Sequence, residues 1–241
     1  MAPYLELVPP PQLAESVECF WTMQSEESFP HRVLPDGCAD IIFTRHSGKA
    51  SLTVVGTMTR FADFQIPPRQ LLVGVRFRPG MWREHFGVPS PEITDALLPL
   101  ESLWGARGRA LREQMADADS VQHCTALLGR ALRPSQTLTP VQRALAWMEA
   151  HPGCVSLDDV ALQAGLSTRQ FRRICLQQIG VSPKLLARVL RFRKALAQVR
   201  AQAGEHAGLA ADCGYFDQSH FIAEFQHFAG QTPAAYLRAL R

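Results

Sequence analysis

The stretch VALQAGLSTRQFRRICLQQIGVSP (160–183) decides the architecture, because its landmarks return in LAADCGYFDQSHFIAEFQHFAGQTP (209–233). In each copy a short helical segment precedes a glycine, which can close a helix in the left-handed conformation. A longer helical segment with an aromatic anchor follows. The pattern predicts two helix-turn-helix units. The matched landmarks, 49 or 50 residues apart, are Ala161 and Ala210, Gly165 and Gly214, Phe171 and Phe221, Gly180 and Gly230, and Pro183 and Pro233.

Residues 183–201 (PKLLARVLRFRKALAQVRA) lie between the two copies and predict one continuous helix. The segment begins with a proline at a first helical position, and its apolar residues recur at helical spacing. A helix of about 17 residues spans about 25 Å. Such a connector can hold two reading helices in successive major grooves, which are about 34 Å apart.

Two further helix starts precede the first copy. Thr139 followed by Pro140 predicts a capped helix that ends near 151–153, and Ser156 before two aspartates predicts the next. Residues 137–241 are therefore predicted to be all-α.

The first hundred residues have a different pattern of short apolar or alternating runs, which predict several strands. Helical periodicity follows over 106–117 and 120–132, and Pro134 ends it. The predicted fold class is α+β, with a β-rich domain and closing helices in residues 1–136 and an all-α domain in residues 137–241. The apolar runs are VECFWTM (17–23), ADIIF (39–43), SLTVVGTM (51–58) and LLVGVRF (71–77).

Charge is divided unevenly along the 241 residues, whose formal net charge is +3. Residues 137–241 carry 12 Lys+Arg and 7 Asp+Glu, a net +5, and residues 1–136 carry 13 and 15, a net −2. The basic part suits a polyanionic partner. No leader or bilayer-spanning stretch is apparent, so a cytoplasmic location without membrane contact is expected. The six cysteines form no C-x-x-C pair, and no metal, cofactor or catalytic residue is predicted.

The segment GYFDQSHFIAEFQHFAGQTPAAYLR (214–238) combines a Gly-aromatic start with a later Gly-x-x-Pro. With Asp217, Ser219, Phe221, Phe225 and Tyr236 at their spacings, residues 137–241 resemble the DNA-binding domain of the AraC family of transcriptional regulators. The resemblance implies seven helices, double-stranded DNA as partner and contact with RNA polymerase.

Residues 1–136 also resemble the N-terminal sensor region of a small AraC subgroup, through HRVLPDGCADIIF (31–43) and VGVRFRPG (73–80). That resemblance implies a small barrel-like β-domain followed by helices, with a small-molecule effector. The effector's identity, the operator sequence and the choice between activation and repression stay open.

The outward residues of the two reading helices are the predicted DNA contacts. Arginine can bond guanine bidentately or clamp phosphates, and a helix N-terminus favours the phosphate backbone. In the second helix Asp217 is predicted to cap, and Glu224 is expected to face and repel phosphate, so the first helix is expected to supply most specificity. A merely solvated surface is the alternative. The predicted contacts are Ser167, Thr168, Arg169, Arg172, Arg173 and Gln177 in the first helix, and Gln218, Ser219 and His220 in the second.

An apolar effector cavity is predicted in the β-rich domain, with Arg76 and Arg78 available to pair an anionic group. The alternative is that its aromatic residues are ordinary core. The predicted lining residues are Trp21, Phe43, Phe61 and Phe77, with Phe64 and Trp82 as further candidates.

Three other functions are alternatives to this one. His31, Asp36, Cys38, Asp40 and His46 lie close in sequence, but their spacing matches no known metal or nucleophilic site, which disfavours an enzyme. A methyl-accepting DNA-repair sensor needs a cluster of zinc-bound cysteines. The predicted β-rich region contains only Cys19 and Cys38, and Cys124 lies in the closing helices. A nucleoid or scaffold protein does not need so long an N-terminal domain.

The closing helices, 106–132, raise the question of a homodimer. Their apolar residues are predicted to exceed what one side of a small barrel can cover, so some should meet another partner. That partner is either a second copy of the chain or the all-α domain. The residues in question are Leu111, Met115, Leu127, Leu128 and Leu132.

Overall fold

The computed structural model describes residues 4–134, 137–153, 155–201 and 208–239. Eight strands, four α-helices and two short 3-10 helices, Pro11–Leu13 and Ser90–Glu92, make up its N-terminal part, residues 4–134. Two of the predicted strands, at 17–23 and 71–77, have the predicted bounds. The strands are β1 Tyr4–Leu7, β2 Val17–Met23, β3 Phe29–Val33, β4 Ala39–His46, β5 Lys49–Val55, β6 Ala62–Ile66, β7 Leu71–Phe77 and β8 Leu97–Pro99. The helices are α1 Arg83–Phe86, α2 Leu100–Trp104, α3 Ala106–Ala116 and α4 Val121–Ala131.

Six of the strands form one antiparallel sheet in the order β1-β2-β7-β4-β5-β8. Strands β3 and β6 pair separately as a two-stranded ribbon. In the described chain β1 and β8 do not pair with each other, so the predicted barrel-like domain is an open sheet.

The two faces of the sheet have different neighbours, because successive side chains of a strand point to opposite sides. Leu71, Val73 and Val75 of β7 belong to the main core, and Leu72, between Leu71 and Val73, belongs to a smaller cluster with Phe64 of the ribbon. Helices α3 and α4 pack on the first face. The second face and the ribbon enclose the cavity described below.

The closing helices bury their apolar residues within the single chain. Leu111, Met115, Leu128 and Leu132 are all buried, and Leu127 is half-buried. The prediction that these side chains exceed what one side of the β-rich domain can cover is therefore wrong. One sheet face accommodates both helices, which removes the surplus apolar surface from which a dimer contact was inferred.

Seven helices are described in the C-terminal part, residues 137–239, as predicted. The predicted caps are present. Thr139 and Ser167 each form a capping box, and the side chains of Ser156 and Asp217 accept hydrogen bonds from backbone amides. The helices are α5 Pro140–Ala150, α6 Leu157–Gln163, α7 Thr168–Ile179, α8 Pro183–Ala201, α9 Leu209–Asp212, α10 Gln218–Ala229 and α11 Pro233–Ala239.

Helix α8 has 19 residues and is about 28 Å long. It separates the first helix-turn-helix unit, α6 and α7, from the second, α9 and α10. A left-handed glycine ends each second helix, Gly180 after α7 and Gly230 after α10. The predicted domain boundary at residue 136 lies outside the described residues.

The two parts of the chain share one hydrophobic core. Phe77 and Trp82 of the N-terminal part belong to the same buried cluster as Phe171 and Ile179 of α7. The second helix-turn-helix unit has a cluster of its own, in which Phe192 of α8 stacks with phenylalanines of α10. The first unit is therefore packed as part of the N-terminal core.

Candidate DNA interface and ligand cavity

Helix α7 buries one face and exposes the other. Phe171, Cys175 and Ile179 are fully buried, which anchors the helix on the core. The opposite face carries nearly all of the predicted contacts in solvent. Ser167, Arg169, Arg172, Arg173 and Gln177 are exposed, and Thr168 is half-buried.

The three arginines of α7 form no ion pair with any described residue. The N-terminus of the helix, by contrast, is held firmly. Ser167 forms the capping box with Gln170, and the Thr168 hydroxyl donates to Asp158 Oδ1 of α6 at 2.6 Å. The arrangement is a fixed helix with free guanidinium groups, which suits phosphate and base contacts.

Helix α10 presents a more polar, less basic outer face. Asp217 caps it by accepting from the amide of His220 at 2.7 Å, as predicted. Gln218, Ser219 and His220 are all exposed in its first turn.

Glu224 does not face outward from α10 as the sequence analysis expected. Its side chain is only 3% exposed and accepts hydrogen bonds from two arginines of α8. The Nε–Oε1 distance to Arg188 is 2.7 Å, and Arg191 binds both carboxylate oxygens through Nη2, at 3.2 and 2.9 Å. The expectation of phosphate repulsion is therefore wrong, because this carboxylate joins α10 to α8.

Phe216 was missed by the sequence analysis as a candidate contact. Its side chain is 92% exposed, immediately before α10, and its neighbour Tyr215 is buried. Two adjacent aromatic residues in one turn do not both reach the core, so the pair Tyr215-Phe216 indicates in the sequence that one of the two rings is exposed. An exposed phenyl ring at the start of a reading helix can contact a thymine methyl group.

The end of α7 is bound to the N-terminal part by three hydroxyl groups. Helices leave their last carbonyls without partners, and here the carbonyls of three consecutive residues, 178–180, accept from side chains of the other part. The hydroxyls are Ser90 Oγ to Gln178 O at 2.6 Å, Thr57 Oγ1 to Ile179 O at 3.0 Å and Thr94 Oγ1 to Gly180 O at 3.1 Å.

The equivalent end of α10 also contacts the N-terminal part. Arg32 Nη1 donates to the carbonyl of Ala229 at 3.0 Å, and its guanidinium stacks on Phe61. The Phe61 ring lies so close to Gly230 that a Cβ there would be 2.6 Å from it. Both reading helices are thus held at their C-terminal ends by the same part of the chain.

A third contact joins the connecting helix α8 to the turn 36–38. A Cβ at Gly37 would lie 2.8 Å from Leu186 Cδ1, so only glycine allows this approach. Arg193 Nη1 donates to the carbonyl of Asp36 at 3.2 Å, and Nη2 of the same side chain pairs with Glu18. Burial raises the pKa of Glu18, but Arg193 and the Cys38 thiol outweigh it, and the net pKa is lowered.

A cavity of about 290 Å³ lies between the sheet and the β3–β6 ribbon. Its size is at the lower end of the range typical of small-molecule sites. The walls are mainly apolar, and a polar group of side chains occupies one end. The apolar lining residues are Trp21, Met23, Val33, Leu34, Ile42, Val55, Met58, Phe64, Ile66, Leu72 and Leu97, and the polar ones include Tyr4, His31, Asp36, Cys38, Asp40 and Arg76.

At the polar end two carboxylates share one guanidinium. Arg76 Nε lies 3.3 Å from Asp36 Oδ2 and 3.6 Å from Asp40 Oδ1. Trp21 Nε1 donates to Asp40 Oδ1 at 2.7 Å, and its indole lies flat over Gly74, where a Cβ would be 2.1 Å from the ring. Burial, only partly offset by Arg76, raises the pKa of Asp40 to about 6.

Only two of the six residues proposed from the sequence for effector binding line this cavity, Trp21 and Arg76. Phe43 and Phe77 are fully buried on the opposite face of the sheet. Phe61 contacts the guanidinium of Arg32, and Arg78 Nη1 lies 3.7 Å from Glu149 Oε2. Alternation along a strand separates neighbouring side chains, which is why Arg76 and Phe77 have different surroundings. Of the two further candidates, Phe64 lines the cavity and Trp82 lies in the core.

Within the described ranges, no group of three or more His, Cys, Asp or Glu side chains is arranged to hold a metal ion. Asp36 Oδ1 accepts a hydrogen bond from the Cys38 amide at 2.9 Å, which stabilises the turn 36–38. The helices of residues 4–134, 137–153, 155–201 and 208–239 include no segment with the length and hydropathy of a bilayer span.

These features define a double helix-turn-helix DNA-binding domain packed against a β-rich domain with a ligand-sized cavity. Residues 160–239 match the family described as helix-turn-helix domain, and residues 5–99 match a family described as a domain of unknown function, DUF6597. The match over residues 160–239 supports the resemblance of the C-terminal part to the DNA-binding domain of AraC-family transcriptional regulators.

Among curated relatives, the chain is 36% identical over 90 residues to the HTH-type transcriptional activator RhaS of Escherichia coli O139:H28 (strain E24377A / ETEC). The match covers 37% of this chain and 32% of the relative, so the chain spans about a third of the length of the curated relatives it matches.

Two solved structures are similar to the chain. One is the DNA-binding domain of AdpA, a global transcriptional factor, in complex with a target DNA: 24% identity, TM-score 0.41, covering 43% of this chain and 95% of that one. The other is ToxT from Vibrio cholerae O395: 11% identity, TM-score 0.45, covering 91% of this chain and 95% of that one.

Proposed function

We propose that the chain is a sequence-specific DNA-binding transcriptional regulator whose activity is controlled by a small molecule in the N-terminal cavity. Its partners would be double-stranded DNA and, as in the AraC family generally, RNA polymerase. It acts by binding rather than by catalysis, in the cytoplasm. The observation that carries this proposal is the exposed face of α7, whose three arginines form no ion pair with the described residues. The helix that presents them is capped and anchored in the core, and α10 occupies the equivalent position in the second helix-turn-helix unit.

In this proposal α7 supplies most of the specificity. Arg169, Arg172 and Arg173 contact guanine edges or phosphates, with Ser167, Thr168 and Gln177 beside them. The first turn of α10 adds Gln218, Ser219 and His220, and Phe216 adds an apolar contact. Helix α8 sets the distance between the two, and the Glu224 ion pairs support that role by joining α10 to α8.

The test is alanine substitution on α7 with binding measured on a selected operator. We expect Arg172→Ala to weaken specific binding by about 1 to 3 kcal/mol, because each bidentate base contact contributes about that much. Arg109→Ala, at an exposed arginine of α3, is the matched control and should leave affinity unchanged. Unchanged affinity for Arg169→Ala and Arg172→Ala alike would contradict the proposed interface.

Control by an effector is supported by the position of the turn 36–38. Asp36 and Cys38 line the cavity on one side, and Gly37 packs against Leu186 of α8 on the other. A ligand that moves the Asp36 carboxylate therefore moves the surface on which the connecting helix rests. Ligand binding and DNA binding would then be coupled, and each would change the affinity of the other by the same factor.

The contacts at the ends of the reading helices support a specific form of this control. Because the N-terminal part holds α7 near Gly180 and α10 near Gly230, it fixes the relative placement of both helices. We propose that the effector acts by strengthening or loosening this hold, which changes how well both helices fit successive grooves at once. A homodimer is a separate proposal, tested by sedimentation of the full chain at micromolar concentration.

A further inference from the structure

The cavity has walls suited to a flat or branched apolar group. Trp21 lies across Gly74 as one wall, and Phe64 and Ile66 of the ribbon face it. Tyr4 stacks obliquely on Trp21, with ring centroids 6.0 Å apart. Aromatic faces of this kind attract cations as well as apolar groups.

The ionisable groups that line the cavity leave an excess of negative charge when Asp36 and Asp40 are ionised. Arg76 is their guanidinium counterpart, and its Nη1 also lies 3.9 Å from Glu6 Oε1. Burial lowers the pKa of His31, which keeps that imidazole neutral. Burial raises the pKa of the Tyr4 hydroxyl and of the Cys38 thiol, so neither contributes charge.

The two carboxylates beside Arg76 Nε oppose the anionic ligand that the sequence analysis expected at this guanidinium. An anion that approached its guanidinium would meet the oxygens of both carboxylates that already flank Nε. Asp40, in contrast, uses only Oδ1 in hydrogen bonding within the described chain, to Trp21. Its second oxygen accepts no hydrogen bond from the described residues, and Asp40 lines a mainly apolar cavity, where a charge-assisted hydrogen bond is strong.

We propose that this cavity binds an organic cation, a protonated amine attached to an aromatic or branched apolar body, with the amine against Asp40 and Asp36. The apolar body lies between Trp21 and the ribbon. This inference rests on the proposed effector function and gives the chemical class of the effector. In this proposal Arg76 does not bind an anionic ligand. Its role is structural, because it orients the carboxylates of Asp36 and Asp40.

The test compares three probes that share one body and differ in their head group. 3-Phenylpropylamine, 3-phenylpropan-1-ol and 3-phenylpropanoate are titrated calorimetrically into the full chain without DNA at pH 7.5. We expect the amine to bind roughly tenfold or more tightly than the alcohol, since its hydrogen bond is charge-assisted, and the carboxylate to bind most weakly. A carboxylate that binds as tightly as the amine, or an amine that does not bind, would overturn the proposal.

Three variants separate the proposed site from non-specific binding. Asp40→Asn should reduce amine affinity roughly tenfold and leave alcohol affinity unchanged. Asp119→Asn makes the same change at a carboxylate that is 85% exposed, and should change nothing. Val55→Phe fills the cavity and should abolish binding of every probe. Persistence of amine binding in Val55→Phe, or full amine affinity in Asp40→Asn, would place the amine elsewhere and refute the assignment.

The outcome is independent of the proposed DNA-binding function, because no DNA is present in the titration. A chain that binds its operator but prefers the carboxylate probe would refute the ligand class alone. A chain that prefers the amine but selects no operator would refute the regulator proposal alone.

Discussion

Substituting two left-handed glycines separates the strength of the inter-domain contact from the ordinary cost of backbone strain. Gly165, in the turn of the first unit, has φ +67°, and a Cβ there would have nothing within 4 Å. Gly180, at the end of α7, has φ +84°, and a Cβ there would lie 2.0 Å from Thr94 Oγ1 and 2.8 Å from the carbonyl oxygen of Ser90. Alanine is strained at both positions but obstructed only at Gly180.

The expected magnitudes follow from these contacts. Left-handed alanine costs about 1 kcal/mol of folding stability, which is all that Gly165→Ala should lose. Gly180→Ala must also push away Ser90 and Thr94, whose hydroxyls donate two of the three hydrogen bonds, each worth about 1 kcal/mol. We therefore expect a total loss of about 3 kcal/mol. At about 3 °C per kcal/mol for a chain of this size, the melting temperature should fall by about 10 °C, against about 3 °C for Gly165→Ala.

Thermal unfolding followed by circular dichroism measures both variants under identical conditions. Thr57→Val tests one of these hydrogen bonds alone, because it removes one of the three hydroxyls and keeps the side-chain shape; about 1 kcal/mol should be lost, as for Gly165→Ala. Equal melting temperatures for Gly165→Ala and Gly180→Ala would refute the inference that the N-terminal part holds α7 at its end.

Three further predictions concern single side chains. Glu224→Ala should destabilise the chain by about 3 kcal/mol in urea unfolding, because it leaves two arginines without their buried partner. Glu113→Ala, at an exposed position of α3, is the control and should not destabilise the chain. If Glu224→Ala bound DNA more tightly without losing stability, phosphate repulsion by Glu224 would be the better explanation. Gly74→Ala should displace the Trp21 indole and cost about 1 to 3 kcal/mol, seen as lost stability together with weaker amine binding. Asp40 has a pKa of about 6 in the folded chain and about 3.8 when unfolded. Its contribution to folding stability should therefore decline as pH rises from about 4 to 6, by about 1.4 kcal/mol per unit of pKa difference. Unfolding curves of Asp40→Asn over that pH range should lack this decline, and pH profiles identical to those of the parent would contradict the raised pKa.

The sequence by itself determined the helical half of the molecule. The two helix-turn-helix units, the caps at Thr139, Ser156, Ser167 and Asp217, and the continuous α8 were predicted from the residue pattern and are present, and the family resemblance implied the total of seven helices. These features depend on residues within about one turn of each other, such as a cap hydroxyl and an amide three residues on. The outward placement of the α7 arginines follows in the same way, from helical period alone.

The β-rich half was predicted in part. The four long apolar runs correspond to β2, β4, β5 and β7, but β1, β3, β6 and β8 were not identified. The ribbon strands β3 and β6 alternate exposed and half-buried residues except for the buried Ile66, and they carry little apolar signal. Their pairing therefore depends on the sheet they cover, which a local pattern does not contain.

Only the tertiary structure decided which side chains form the two candidate sites. Period alone placed Glu224 outward, but the packing of α10 on α8 turns it toward Arg188 and Arg191, more than 30 residues earlier in the chain. Arg76 was expected to meet an anionic ligand, yet strand alternation and the 36–38 turn bring Asp36 and Asp40 to it. Helix period and capping are local, and so the sequence shows them directly. Partners of a buried charge come from distant segments, and their identity is fixed only when the strands and helices pack.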